Sequence, residues 1–414
     1  MPRTAHGMEI MKPHGVSLLG PVSNVLLRKA MGGCPFALPS RFRSQSGMLM
    51  GVRRSRRIGV TRLSDDEIRD RIVRNFRLQE VPEVPFCIEI GPFHGAFRQF
   101  LASDAAELTW NEELHRGRRT VYDYGMPNIK PNLGIGIVAA AFGCEQTVND
   151  EADPWIRHII SEENVKDVHK LEVPDPAEHP VYRRAWERVD HLQTRSDMPL
   201  RVINVPSPLV TASMIWDYTS FIEALILYPQ EVHVLMKKIT DATIGFVREQ
   251  LRRIENLHSV SHEMWCVPRE AGIRISDDTA ALLSPNLYRE FGVKYNGMIA
   301  EAFGGVVVHS CGDVQNVVEP MMEIPGLTGL DFTIPQNPNW EAIRAAAAGK
   351  TALYLRHFYW DHAEPTDLVA YTRKIVDFFG RKGLFIQTST PTTEEAPPLG
   401  EALHSLLAQD AANG

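Results

Sequence analysis

The apolar run Val306-Val307-Val308 leads directly into His309, Ser310 and Cys311. An extended chain turns every second side chain to the same side, so His309 and Cys311 face one site. An imidazole nitrogen and a thiolate sulfur are natural ligands for Zn²⁺. Spacing alone says little: 15 His and 5 Cys in 414 residues give roughly 0.2 such pairs by chance. Position carries more weight, because strand ends are where barrels of alternating strands and helices place their chemistry. The alternative is a buried Cys beside a hydrogen-bonded His, with no metal.

Carboxylates are the next candidates. Asp277 and Asp278 follow an apolar stretch, and adjacent residues at a strand end face opposite ways. Asp278 is expected to point inward as a third ligand or catalytic carboxylate; otherwise both residues simply start the following helix. Glu263, beside His262, is placed near another strand end with a catalytic role. Arg356, His357 and Tyr359 follow the strand expected at Ala352–Leu355. His357 and Tyr359 are candidates for proton transfer and Arg356 for holding an anionic group. An aromatic-rich loop without chemistry is the competing account. Gln387 ends the last expected strand and is read as a substrate contact, as is Asn132 in a glycine-containing loop.

These residues need strands and helices to position them. Strands are expected at Phe86–Ile90, Leu200–Val205, Val260–Cys266, Gly305–His309, Gly329–Phe332, Ala352–Leu355 and Leu384–Gln387. Helices are expected at Asp65–Leu78, Asp217–Tyr228, Pro229–Ile254, Ser284 to about Phe303, Asn316–Glu323, Trp340–Ala348, Pro365–Gly380 and Leu399–Leu407. Residues 125–200 read as loop-rich with several short helices punctuated by Pro174, Pro176 and Pro180, and Pro206-Ser207-Pro208 reads as a loop. Alternation of this kind implies parallel pairing through helical crossovers. The fold class is α/β, a (β/α)8 TIM-type barrel. No Gly-rich nucleotide-binding unit follows a strand.

Composition narrows the class. With 44% hydrophobic and 23% charged residues the chain is globular. Five cysteines do not make a disulfide framework, and the apolar runs are too short for a membrane span. A cytoplasmic protein is expected, with neither membrane nor nucleic acid as partner. The net charge of −7 is uneven: residues 1–62 carry 11 Lys and Arg against the single acid Glu9, a charge of +10, and residues 63–414 carry −17. Residues 1–62 are taken as an irregular basic extension and 63–414 as the barrel.

Ile275-Ser276-Asp277-Asp278, Leu283-Ser284-Pro285 with Tyr288 and Phe291, Gly304 to Asp313, and Gly329-Leu330-Asp331 together resemble the uroporphyrinogen decarboxylase superfamily. Pro206 to Leu209 and Tyr228 to Val232 add to the likeness, which extends from about Arg74 to the C-terminus. The H-x-C-G segment is similar to the zinc-dependent methyltransferases that act with corrinoid proteins. That resemblance implies Zn²⁺ on the His, the Cys and a later Cys near the last strand, with a thiol bound as thiolate. Here the last strand has no Cys, and Ser389 or Thr388 stands near the expected place. Asp277 and Asp278, and after them Glu263, are the candidate replacements, with Asp278 favoured. The Arg-rich signature and the late Gly-His-Gly of the decarboxylase are missing. The resemblance therefore implies methyl transfer between a small methylated molecule and a corrinoid or thiol acceptor, the corrinoid being carried by a partner protein. A metal-free decarboxylase-like lyase and a non-catalytic barrel that binds a tetrapyrrole or corrinoid protein remain open. A homo-oligomer is a further expectation.

Overall fold

The computed structural model describes residues 62–90, 103–118, 120–147, 155–262, 267–362 and 366–408. Residues 1–61, all but the last residue of the basic extension, therefore lie outside the described residues. Strands, in chain order, are β1 (Phe86–Ile90), β2 (Glu145–Thr147), β3 (Trp155–Arg157), β4 (Leu200–Arg201), β5 (Leu257–Ser259), β6 (Ile273–Ser276), β7 (Val306–Ser310), β8 (Leu327–Thr333), β9 (Ala352–His357) and β10 (Leu384–Thr390). Six of them form one curled, all-parallel sheet in the order β1-β10-β9-β8-β7-β6. β4 and β5 make a separate parallel pair, and β2 and β3 an antiparallel one.

Backbone bonds link residues just beyond β4 and β5 to β6 on one flank, and on the other join β4 to Ile129 and the nearby Tyr124 to β1. On one flank Arg274 N donates to Val260 O at 3.1 Å and Ser207 N to Ser276 O at 2.7 Å. On the other, Arg201 N donates to Ile129 O at 2.8 Å and Tyr124 N to Phe86 O at 2.9 Å. Every residue of β6, β7, β9 and β10 is buried. That is the pattern of parallel strands covered on both faces, and it explains their continuous apolar runs.

The helices follow local chemistry. Helix α1 (Asp65–Phe76) starts at a reciprocal Ser64–Glu67 cap with Asp65 and Asp66 in its first turn. The region 125–200, expected to be loop-rich, contains the 16-residue α2 (Pro180–Arg195). Its proline occupies the first turn, where no N–H is needed, so it opens a helix instead of interrupting the chain. Pro206-Ser207-Pro208 is corrected in the same way: Ser207 caps α3 (Pro208–Ile215), which Pro208 opens. α4 (Pro229–Arg253) has the expected start and apolar face. The stretch expected as one helix from Ser284 has a π-helical section, Tyr288–Val293, before α5 (Lys294–Phe303). A Cβ on Gly292 would lie 2.4 Å from the Tyr288 ring, so the wider turn holds that ring against a residue with no side chain. α6 (Leu368–Phe379) and α7 (Ala396–Leu407) cover the last strands. Among the described residues no helix is long and apolar enough to cross a membrane.

Register decides which residues meet. Ser276, His309, Asp331 and Tyr354 are neighbours across β6 to β9. Thr333, Arg356, Gln387 and Cys87 are neighbours one level nearer the strands' C-terminal ends. Tyr354 and Phe385 stack below them, with ring centroids 4.2 Å apart.

Candidate metal centre

β7 delivers His309 at its end, and Cys311 begins the loop beyond it. The Cys311 sulfur lies 3.1 Å from His309 Nε2. Asp278 opens a 3₁₀ turn after β6, where its Oδ1 accepts from Cys311 N at 2.6 Å and lies 3.8 Å from His309 Nε2. One oxygen, one nitrogen and one sulfur thus fall within 4.8 Å of one another. Tetrahedral zinc at ordinary bond lengths places nitrogen and sulfur about 3.5 Å apart, and nitrogen and oxygen about 3.4 Å apart. Shifts of a few tenths of an ångström would satisfy both, and the three donors, all within 4.8 Å of one another, are of the types that could hold a zinc-like ion.

The histidine is oriented from behind. His309 Nδ1 lies 3.0 Å from Asp331 Oδ2 and 3.0 Å from the Asp331 backbone oxygen. Both are acceptors, so Nδ1 carries a proton, and Nε2 is the nitrogen left to meet a ligand. Asp331 is completely buried and is held by Arg274 Nη2 at 3.0 Å and Arg356 Nε at 3.1 Å. Burial would raise its carboxyl pKa, but Arg356, His309 and Arg274 outweigh that and hold it below the usual carboxylate range. For His309, burial and Arg356 push the pKa down, while Asp331 and Cys311 push it up; the balance stands at about 9.

The other candidates divide. Asp277, next to Asp278, turns the opposite way. It is fully buried and accepts from Ser207 Oγ at 2.7 Å, Asn296 Nδ2 at 2.8 Å and Tyr288 OH at 2.9 Å. Burial raises its pKa despite those three donors. Arg356 points into the sheet's interior, where its Nη2 lies 3.6 Å from the Cys311 sulfur. His357 therefore points outward, to Thr372 Oγ1 of α6 at 2.9 Å, and burial followed by the neighbouring His362 pushes its pKa down to about 3. Its expected role in proton transfer is corrected by strand alternation, which turns the ring toward α6 and away from Arg356. Tyr359 is half-buried, and its backbone N donates to Ser389 Oγ at 3.0 Å. The Ser389 hydroxyl thus anchors the loop after β9.

Gln387 donates to Glu89 Oε2 at 3.1 Å, and its buried Oε1 has no hydrogen-bond partner among the described residues. Asn132 is built into a different network: its N donates to Glu107 Oε1 at 2.5 Å and its O accepts from Arg188 at 3.0 Å. Glu263 lies outside the described residues. Sequence reasoning missed Asp331 and Arg274 as parts of the site. The available signal was a charged residue inside an apolar strand: Arg274 alternates with Ile273 and Ile275.

The uroporphyrinogen decarboxylase family model matches residues 68–353. No curated protein matches the chain. Among solved structures, a methyltransferase from Methanosarcina mazei is similar in fold, with a TM-score of 0.60 and 16% identity over 81% of this chain and 96% of that one.

Proposed function

This chain belongs to the uroporphyrinogen decarboxylase family, and from that premise we propose that it is a methyltransferase using Zn²⁺ held by Asp278, His309 and Cys311. It moves a methyl group between a small methylated molecule and a thiol or a corrinoid carried by a partner protein. The observation that carries this reading is the convergence of nitrogen, sulfur and carboxylate beyond neighbouring strands. The fold shared with a protein called a methyltransferase is consistent with it. A bound Zn²⁺ would supply Lewis acidity, which keeps a thiol ionised at neutral pH or polarises a leaving atom. The chain's own residues do the rest. Asp331 fixes the imidazole tautomer, Arg274 and Arg356 keep Asp331 ionised, and Gln387 Oε1 offers an acceptor in the interior. The backbone bonds that tie β4–β5 to β6, and Tyr124 to β1, support a closed (β/α)8 barrel of β1 and β4 to β10.

Zinc content of the untagged protein tests the reading, with His309→Ala and Cys311→Ala beside it. Stoichiometric zinc in the parent, lost in both variants, is expected, together with methyl transfer from methylcobalamin to a thiol. Sub-stoichiometric zinc that neither substitution changes would overturn it. Two buried guanidinium groups beside the centre favour one second reading, a lyase that grips a substrate carboxylate without metal. Decarboxylation of uroporphyrinogen by the zinc-free protein would select that reading.

A further inference from the structure

Arg356 stands closer to the candidate ligands than an ordinary anchor for Asp331 requires. Its Nη2 lies 2.7 Å from His309 Nε2 and 3.0 Å from His309 Nδ1. A donor aimed along the Nε2 lone pair in the ring plane would be much farther from Nδ1. Near-equal distances place the guanidinium over the ring face, beside the edge that looks toward sulfur and carboxylate. The same nitrogen is 3.6 Å from the Cys311 sulfur. We infer that Arg356 is a resident cation that lies against the ion-free site, over the His309 ring, and so limits the site's metal affinity. This inference rests on the metal reading above.

The surrounding charges support it. Facing the pocket are Asp278, Asp331 and the Cys311 thiol, with Arg274 reaching Asp331 from β6 and His309 between them. A dication on His309 and Cys311 meets the positive charge of Arg356 at close range in a buried setting, where screening is weak. The guanidinium also has somewhere to go. Its central carbon is already 5.8 Å from the Phe358 ring centroid, a distance at which a cation is attracted to the ring face. Asp361 lies behind that ring in sequence and accepts from Phe358 N at 2.9 Å. Burial raises the Asp361 carboxyl pKa to about 6, and Arg356 is among the groups that pull it back down. A small retreat from His309 toward Phe358 and Asp361 keeps Arg356 paired while it vacates the ligand edge.

The test is Co²⁺ titration of the metal-free full chain, read by the cobalt–thiolate charge-transfer absorption and not by activity. Arg356→Gln keeps a donor at the level of Nε, which meets Asp331, but removes the charge and the Nη2 nitrogen that reaches His309 and Cys311. It should bind Co²⁺ at least about tenfold more tightly than the parent. Arg356→Lys, which keeps the charge, should stay within about threefold. Loss of a merely structural contact would weaken binding, so the sign separates the two roles. Circular dichroism confirms that each variant is folded. Equal or weaker binding by folded Arg356→Gln overturns the inference, as does Arg356→Lys binding as tightly as Arg356→Gln. A structure of the zinc-loaded parent gives a second arm that needs no variant. Arg356 Nη2 should lie farther from His309 Nε2 than 2.7 Å, on the Phe358 side; an unmoved guanidinium overturns the inference. Absence of cobalt from every protein overturns the metal reading and this inference with it. Binding with unaltered affinities overturns only the inference.

Discussion

Two buried carboxylates, Asp331 and Glu83, lie toward opposite ends of the sheet, and each is paired with a histidine. Glu83 precedes β1. It takes His404 Nδ1 at 2.7 Å, Tyr122 and Tyr124 hydroxyls at 3.1 Å each, and Arg71 at 3.9 Å. Asp331, near the end of β8, takes His309 and two arginines. The two pairs are alike up to the imidazole and differ beyond it. The His404 ring packs against Tyr122, with centroids 4.4 Å apart. His309 presents Nε2 to a sulfur and a second carboxylate. The two imidazoles thus differ in what they meet beyond the carboxylate: an aromatic ring at His404, a sulfur and a second carboxylate at His309. Under the proposed function the first pair is structural and the second chemical, as expected of the N-terminal and C-terminal ends of such strands.

The comparison breaks most readily by substitution. Asp331→Asn leaves two buried arginines short of their counter-charge and should cost about 3–5 kcal/mol of stability. It should also weaken zinc binding roughly 10–100-fold by loosening His309. Glu83→Gln should cost about 1–3 kcal/mol and leave zinc affinity unchanged. Denaturant unfolding and competitive zinc titration read both quantities. A Glu83→Gln protein that lost zinc would dissolve the distinction.

pH sharpens it. His309 is raised from 6.5 to about 9 in the folded chain. Its contribution to the stability of the ion-free protein is complete below about pH 6.5 and is lost as pH rises through about 9. Metal must displace that proton and the Cys311 thiol proton as well, so zinc affinity should rise by at least about tenfold per pH unit from 7 to 9. Unfolding and zinc titrations across pH 6–10 should run in opposite directions. A flat zinc profile would mean that neither Nε2 nor the Cys311 sulfur has a proton to lose.

Two smaller effects complete the set. Gly292→Ala drives a Cβ into the Tyr288 ring and disturbs the donors of Asp277, a carboxylate with no histidine. It should cost about 1–3 kcal/mol, seen in thermal unfolding, with no change in zinc. Ser389→Cys adds a sulfur where the resemblance expects one. Because the Ser389 hydroxyl is engaged by Tyr359 N, zinc affinity should change by less than about threefold. A large gain would make Asp278 a weak substitute.

Much of this was legible in the chain because strands buried on both faces advertise themselves as apolar runs. His309 and Cys311 stood at the end of the clearest one. Alternation separated Asp277 from Asp278, and the same rule separates Arg356 from His357, although both were expected in the site. Asp331 and Arg274 were hidden because their partners lie on other strands. Arg274 reaches past β7 to a residue 57 positions away. Periodicity within one segment carries no trace of such a pairing. Prolines misled where they opened helices, as at Pro180 and Pro208, because the residue that breaks a helix interior is favoured in its first turn.

The Arg274–Asp331–Arg356 triad also bears on how the chain folds. Three charges from β6, β8 and β9 are buried together, and an isolated buried charge costs several kcal/mol. Docking β8 and β9 pairs Asp331 with Arg356, and β6 then brings Arg274, a second cation for the same carboxylate. His309 is expected to acquire its orientation once β7 and β8 are joined, because Asp331 holds its Nδ1.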